Sequence, residues 1–285
     1  MVAPLRRVVV KRPREAFRSA EAVAAEWRRL GFTGPPDLGR AEDEHARLVS
    51  LLEQTGAEVL CLPAADGTTL DSIFVHDAAL VCDRGAIVFR TGKPERRGEG
   101  PALAAALAAW GVPVVGEVGG EATAEGGDTL WLDGTTLVVG RGFRTNAAGV
   151  AQLHALLAPL GVDVVGVDLP SWDGPKGLLH LQSLVSLLDR DLALVWRRLL
   201  PVPLFEMLSE RNVRMLDVPD EEVALLGGNV LAVAPRRAVM LDGLPRTRAR
   251  LEEAGCDVRT FRGLEIALKG NGGPTCLTRP LLRSD

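Results

Sequence analysis

Cys276 follows Gly270-Asn271-Gly272-Gly273-Pro274, a loop permissive enough to bring a side chain close to a ligand, and the segment Thr275 to Thr278 reads as a short strand. Arg279 and Lys269 stand nearby in sequence, and positive charge lowers a thiol's pKa toward the thiolate, the attacking form. A cysteine after glycines serves structure as readily as chemistry, so a nucleophile here requires a partner base. Of the four histidines, His45 and His154 lie on predicted helix faces. His180, in GLLHLQSLVSLL, stands where the loop SWDGPKG enters an apolar run, so the scaffold rather than solvent would orient its ring. His76 precedes Asp77 and fits a site residue or a turn residue equally. Glu125-Gly126-Gly127-Asp128 is a compact acidic turn opening into a strand. Its glycines permit close backbone approach, and a carboxylate there can pair bidentately with a planar guanidinium. A plain hairpin entry has the same appearance.

The elements that must position these residues repeat with a period of about fifty residues. Strands are predicted at 79–82 and 86–90, a helix at 98–109 and a strand at 112–116. The order recurs with strands at 129–132 and 136–140, a turn at Asp133-Gly134, a helix at 146–158 and a strand at 162–167. SLVSLL, LALVW, a helix at 203–211 and VRMLDV make a third copy. VLAVA, AVMLD, a helix at 245–254 and DVRTF make a fourth. A fifth requires both chain ends, the strand at 275–279 pairing with RRVVVK, followed by a helix at 41–55 and AEVLCL. Such closure predicts an α/β fold, a five-bladed α/β propeller formed by residues 1–285 as one domain; an α/β sandwich with a parallel sheet is the alternative. The stretch Ser19 to Gly39, with Trp27 and Gly34-Pro35-Pro36, fits a lid or a surface connection.

Composition narrows the class. Hydrophobic residues make up 47% and charged residues 25% of the 285, the balance of a folded globular protein. The net charge of −4 comes from 33 basic and 37 acidic residues spread along the chain, which gives no footprint of a nucleic-acid binder. Apolar runs such as ALAAALAAW fall short of the ~20 residues that span a bilayer, and the N-terminus has no signal-peptide core, so a cytoplasmic location without membrane contact is expected. Cys61, Cys82, Cys256 and Cys276 lack the spacing of a zinc site or disulfide framework, so no metal is expected.

In that order, DSIFVHDAALVCDRGAIVFRTGKPERRGE, EGGDTLW, GRGFRTNAAGV, HLQS and GNGGPTCLTRP resemble the dimethylarginine dimethylaminohydrolases. These belong to a guanidine-modifying superfamily that also includes arginine deiminases and amidinotransferases and shares the five-bladed propeller. The resemblance implies Cys276 as nucleophile, His180 as general acid/base and Glu125 as the residue that orients the site and helps hold the guanidinium. It further implies that Asp71 contacts the substrate amine, Asp77 the guanidinium, and Arg96 and Arg144 the carboxylate, with no cofactor and a small guanidino compound as substrate. His76 stands where the family often has Glu, which bears on recognition of the amine end, and Gln182 replaces a frequent Lys. The alternatives are an arginine deiminase-like hydrolase of another guanidino compound and an amidinotransferase, with a non-enzymatic propeller binding protein disfavoured by the retained Cys276, His180 and Glu125; a homodimer is left open.

Overall fold

In each of the four internal repeats an antiparallel hairpin, and in the closing one an antiparallel pair made by the two chain ends, is followed by a helical connection to a third strand parallel to the second, as a parallel pair requires. The computed structural model describes residues 2–172, 174 and 179–284. β1 (Leu5–Val10) leads through α1 (Pro13–Ala16), α2 (Ala20–Leu30) and α3 (Leu38–Glu53) to β2 (Glu58–Cys61). β3 (Ala79–Cys82), β4 (Gly85–Phe89), α4 (Glu99–Ala109) and β5 (Val114–Val118) form the next unit, and β6 (Thr129–Trp131), β7 (Thr136–Arg141), α5 (Ala147–Leu157) and β8 (Asp163–Asp168) repeat it. Then come α6 (Leu181–Leu184), β9 (Val185–Asp189), β10 (Leu192–Val195), α7 (Val202–Glu210) and β11 (Arg214–Asp217). The last unit is α8 (Asp220–Val223), β12 (Leu231–Ala234), β13 (Arg237–Leu241), α9 (Pro245–Glu253) and β14 (Asp257–Phe261), and β15 (Arg279–Arg283) follows.

The strands form five separate three-stranded sheets, β15-β1-β2, β3-β4-β5, β6-β7-β8, β9-β10-β11 and β12-β13-β14. This is the five-bladed α/β propeller, and separate sheets exclude the parallel-sheet sandwich. The two chain ends share a blade, with Val9 opposite Arg279 and Leu5 opposite Arg283 in an antiparallel pair. The middle strands β4 and β10 are buried throughout and the other middle strands expose only residues toward their ends, while outer strands such as β5 expose Val114 and Val115. The apolar core fills the spaces between blades and helices: Leu80, Phe89, Leu137 and Leu153 pack together in one such cluster.

Two expectations need correction. The strand at 275–279 is displaced to Arg279–Arg283, because residues 273–278 curl into a turn in which Leu277 N donates to Gly273 O (3.1 Å) and Thr278 Oγ1 to Pro274 O (2.9 Å). Pro280 is accommodated within β15 because β15 is an edge strand, where a missing N–H is tolerated. The apolar run after His180 begins as a helical turn, α6, and becomes strand only at Val185; most of the loop 173–178 ahead of it lies outside the described residues. The candidate lid is largely α2, capped by Ser19 Oγ accepting from Ala22 N (3.2 Å) and ended by left-handed Gly31. It is docked through buried Phe32, which stacks on Phe74 at 6.5 Å between centroids, and through Leu70 N donating to Glu26 Oε2 (3.0 Å).

Helix-to-strand packing is tight enough to reverse an ordinary propensity. A Cβ at Gly149, in the first turn of α5, would strike the Thr123 carbonyl oxygen. Gly149→Ala should therefore destabilise the protein by about 1–3 kcal/mol, the usual cost of overpacking, whereas alanine in an open helix position stabilises. Urea unfolding of the variant measures the sign.

Candidate active site

Each blade delivers one short segment to the same end of the axis, immediately ahead of its first strand. Asp77 precedes β3, Glu125 to Asp128 precede β6, His180 precedes β9, Asn229 precedes β12 and Cys276 precedes β15. Residues up to two hundred positions apart in sequence thereby meet, since the strands fix where each loop begins.

Glu125 and His180 form the centre. His180 Nε2 donates to Glu125 Oε2 at 2.7 Å, and both side chains are buried. The His180 backbone is held by reciprocal bonds with Ser183 across the first turn of α6 (3.2 and 3.0 Å). Its Nδ1 lies 4.0 Å from Asp77 Oδ1. Burial disfavours a charged ring, but Asp77, Asp128 and Glu125 together outweigh it and push the His180 pKa up to about 9, so the imidazole is protonated at neutral pH. Burial likewise opposes charge on Glu125, and the His180 hydrogen bond and charge, with Arg144, hold its carboxyl below the usual range. Arg144 Nη1 donates to both Glu125 oxygens (3.0 and 3.1 Å).

The acidic turn must be glycine at its centre. A Cβ on Gly126 would collide with the His76 carbonyl, and one on Gly127 would meet the His180 ring, 2.7 Å from Cγ. Gly127 N donates to Asp77 Oδ1 (2.9 Å), which ties the second blade to the third. Asp128, the last residue of the turn, was not singled out by sequence as a site residue, yet it accepts from Leu181 N (3.1 Å) and Thr145 Oγ1 (2.7 Å) and so locks α6 beside Glu125. Burial pushes its pKa up to about 6. Gln182 Nε2 donates to Thr129 O (2.6 Å), bracing the same junction.

Cys276 sits in the turn rather than in a strand. Asn229, another residue the sequence reading missed, donates from Nδ2 to its Sγ (3.2 Å) and accepts from Thr275 N through Oδ1 (3.0 Å). The Gly228-Asn229 pair ahead of β12, in the same register as the other site loops, is the signal that could have revealed it. Burial, then the Asp77 charge, push the Cys276 thiol up to about 11, and the Asn229 bond opposes them only in part. The resting thiol is therefore neutral. Asp77 acts on both partners, raising the thiol and the imidazole together.

The residues implied as substrate contacts are distributed unevenly. Asp71 pairs with Lys93 Nζ at 2.6 Å, and Lys93 also donates to Leu30 O (2.7 Å), placing Asp71 beside the end of α2. Asp77 pairs with Arg96 Nη1 at 2.6 Å. Arg96 is buried with its donors committed to Asp77, Glu99 and Phe74 O, so it holds Asp77 in place instead of presenting a free guanidinium to a carboxylate. Arg144, partly exposed, engages Glu125 through Nη1 alone among the described residues, leaving the rest of its fork available. His76 is not placed for amine recognition. Its N–H donates to Cys276 O (3.1 Å) and its Nδ1 to Thr278 O (2.8 Å), behind the nucleophile loop. Burial, together with Arg279, pushes its pKa down to about 3, so the ring is neutral and braces the turn.

Asp77, Glu125 and His180 place one ligand atom each within 4.8 Å of one another. Their charges are already matched by the imidazolium and by two arginines, which accounts for the cluster without an ion. The group can hold a planar cation among carboxylates, present a thiol to it and supply a proton from a buried imidazolium.

Residues 37–283 match the model of the family described as N,N dimethylarginine dimethylhydrolase, eukaryotic. An N(G),N(G)-dimethylarginine dimethylaminohydrolase of Streptomyces coelicolor is 34% identical over 283 residues, covering 96% of each chain. The enzyme of that name from Pseudomonas aeruginosa is 27% identical over 249 residues, covering 86% of this chain and 90% of its own. A cysteine-to-serine mutant of the Pseudomonas aeruginosa protein, solved with citrulline, superposes with a TM-score of 0.78 at 25% identity, covering 99% of this chain and all of the other. By sequence, by fold and by the loops its blades bring together, the chain belongs to the dimethylarginine dimethylaminohydrolase family.

Proposed function

We propose that the protein hydrolyses the guanidine C–N bond of Nω-methylated arginine, giving citrulline and dimethylamine from the asymmetric dimethyl form. The observation that carries this reading is the buried His180–Glu125 pair, Nε2 to Oε2 at 2.7 Å, with Asp77 4.0 Å from His180 Nδ1 and Cys276 held by Asn229 in the adjoining loop. The cationic substrate group fits against Asp77 and Glu125, the α-amine against Asp71, and the α-carboxylate against the free part of Arg144. A guanidinium brought against Asp77 neutralises the charge that keeps Cys276 protonated, so substrate binding itself favours the thiolate.

Attack of the thiolate on the guanidinium carbon forms a C–S bond and a neutral tetrahedral adduct. His180 donates its proton to the dimethylamino nitrogen, whose bond to carbon breaks, leaving a thiouronium cation on Cys276. The now neutral His180 removes a proton from water as the oxygen adds to the same carbon. Collapse expels the thiolate, and loss of the oxygen-bound proton to the departed amine completes citrulline. One imidazole serves as acid and then as base, and neither step calls for a cofactor. The four cysteines, all free thiols, are consistent with action in a reducing compartment such as the cytoplasm.

Citrulline release from asymmetric dimethylarginine, monomethylarginine and arginine, assayed in parallel without an amine acceptor, tests the proposal. Turnover of the methylated substrates is the expected result, and turnover only when an acceptor amine is supplied would make the protein a transferase. Cys276→Ser should lower kcat by about 10⁴-fold or more with an unchanged unfolding midpoint.

The pH profile follows from the two raised pKa values. Below about 9, His180 stays protonated while the thiolate fraction grows tenfold per pH unit, so kcat/KM should climb from pH 6 toward 9 and then level. Alkylation of Cys276 by iodoacetamide in the free protein should climb with it. Alkylation that is independent of pH between 6 and 8 would contradict a neutral resting thiol.

A further inference from the structure

The end of the site assigned above to a substrate's α-amine already holds an ammonium of the chain itself. Lys93 is anchored beside the catalytic centre: its N–H donates to Glu125 Oε1 (3.3 Å), the oxygen that Arg144 Nη1 also contacts. Gly92 before it lies so close to the Arg144 loop that a Cβ there would strike the Arg144 carbonyl. From that anchor the side chain reaches Asp71, placing Nζ 2.6 Å from Oδ2 and 2.7 Å from the carbonyl of Leu30, the last residue of α2. An ammonium set between a carboxylate and a carbonyl is what a bound α-amine would be, and here a lysine takes that position.

Charge decides what this means for a ligand. Asp71 is buried, and its contact with Lys93 is an ion pair without hydrogen-bond alignment, so Oδ2 keeps a lone pair for a further donor. Its charge is nevertheless matched, and a second ammonium drawn to that lone pair meets Lys93 as a like charge in a partly desolvated place. Neighbouring acids do not replace it. Glu26, which accepts from Leu70 N one residue before Asp71, is paired with Arg18 (2.5 Å) and Arg29 (3.4 Å). Arg144, by contrast, keeps most of its fork free. Among these groups the site offers cationic donors to a carboxylate and no unmatched acid to an ammonium.

We infer that Lys93 determines specificity at this end of the site by holding the ammonium position itself, so that the substrates include Nω-methylated guanidino carboxylates that have no α-amine. Such a compound presents its carboxylate to Arg144 and leaves the Lys93–Asp71 pair in place, and its hydrolysis gives the corresponding ureido acid and dimethylamine. The inference rests on the hydrolase reading above and refines its amine contact, since methylated arginine engages Asp71 only by displacing Lys93 or by crowding a second cation against it.

Kinetics with asymmetric dimethylarginine and with its deamino analogue, in which hydrogen replaces the α-amine, test this. A site that depended on the amine would lose about tenfold or more in kcat/KM with the analogue, the worth of a hydrogen bond to a charged group, whereas this protein should lose no more than about threefold. Lys93→Met should raise kcat/KM for asymmetric dimethylarginine by about tenfold, through KM rather than kcat, and leave the analogue unimproved. Lys93→Gln, which keeps a donor for Leu30 O without the charge, should move the ratio the same way and serves if Lys93→Met does not fold. Isothermal titration of Cys276→Ser with both compounds, with and without the Lys93 substitution, makes the same comparison without turnover. Binding of the analogue with no turnover of either compound by the active protein would sink the hydrolase reading and leave the role of Lys93 standing. A larger preference for the amine in the unsubstituted protein, a ratio that neither Lys93 variant changes, or failure of the analogue to bind would overturn the inference.

Discussion

A protonated imidazole buried among carboxylates is the interaction on which the rest of this site depends. His180 cannot stay charged out of water unless Glu125, Asp77 and Asp128 remain ionised or polarised around it. They in turn are held by Arg144, by Arg96 and by the N–H groups of Gly127 and Leu181. Removing one partner from such a group leaves an uncompensated charge, which commonly costs 3–5 kcal/mol. The network therefore fixes geometry and protonation together, and it requires the blades to sit in one register.

The propeller supplies that register cheaply. Each blade is a local unit of hairpin, helix and strand, and each first strand begins close to the axis, so one residue ahead of it is placed without a long-range device of its own. The closing blade differs because its first strand comes from the C-terminus and its second from the N-terminus. Cys276 therefore occupies the loop whose position depends on the two chain ends finding each other, and it reaches the other site residues only when the ring is complete.

Burial that protects the chemistry also restrains it. The thiol is raised by the same low dielectric and the same Asp77 that raise the imidazole, so the free protein holds both protons. In the proposed reaction a cationic substrate supplies what is missing, which would couple specificity for a guanidinium to formation of the Cys276 thiolate.

The sequence by itself determined the repeat and the strand–strand–helix–strand order, because apolar periodicity and glycine-rich turns are local properties of a chain, and it singled out Cys276, His180 and Glu125 as candidate site residues. Strand limits within the four internal hairpin repeats were legible to within about two residues for the same reason. Tertiary structure alone decided the rest. Asn229 and Asp128 are ordinary polar residues until neighbouring blades aim them at Cys276 and α6. Arg96 became a buried partner of Asp77, and His76 a brace behind the nucleophile loop, because hydrogen-bond partners distant in sequence claimed their donors first. Protonation was decided in the same way: a pKa is set by burial and by the charges around a group, and those exist only once five blades have closed on one axis.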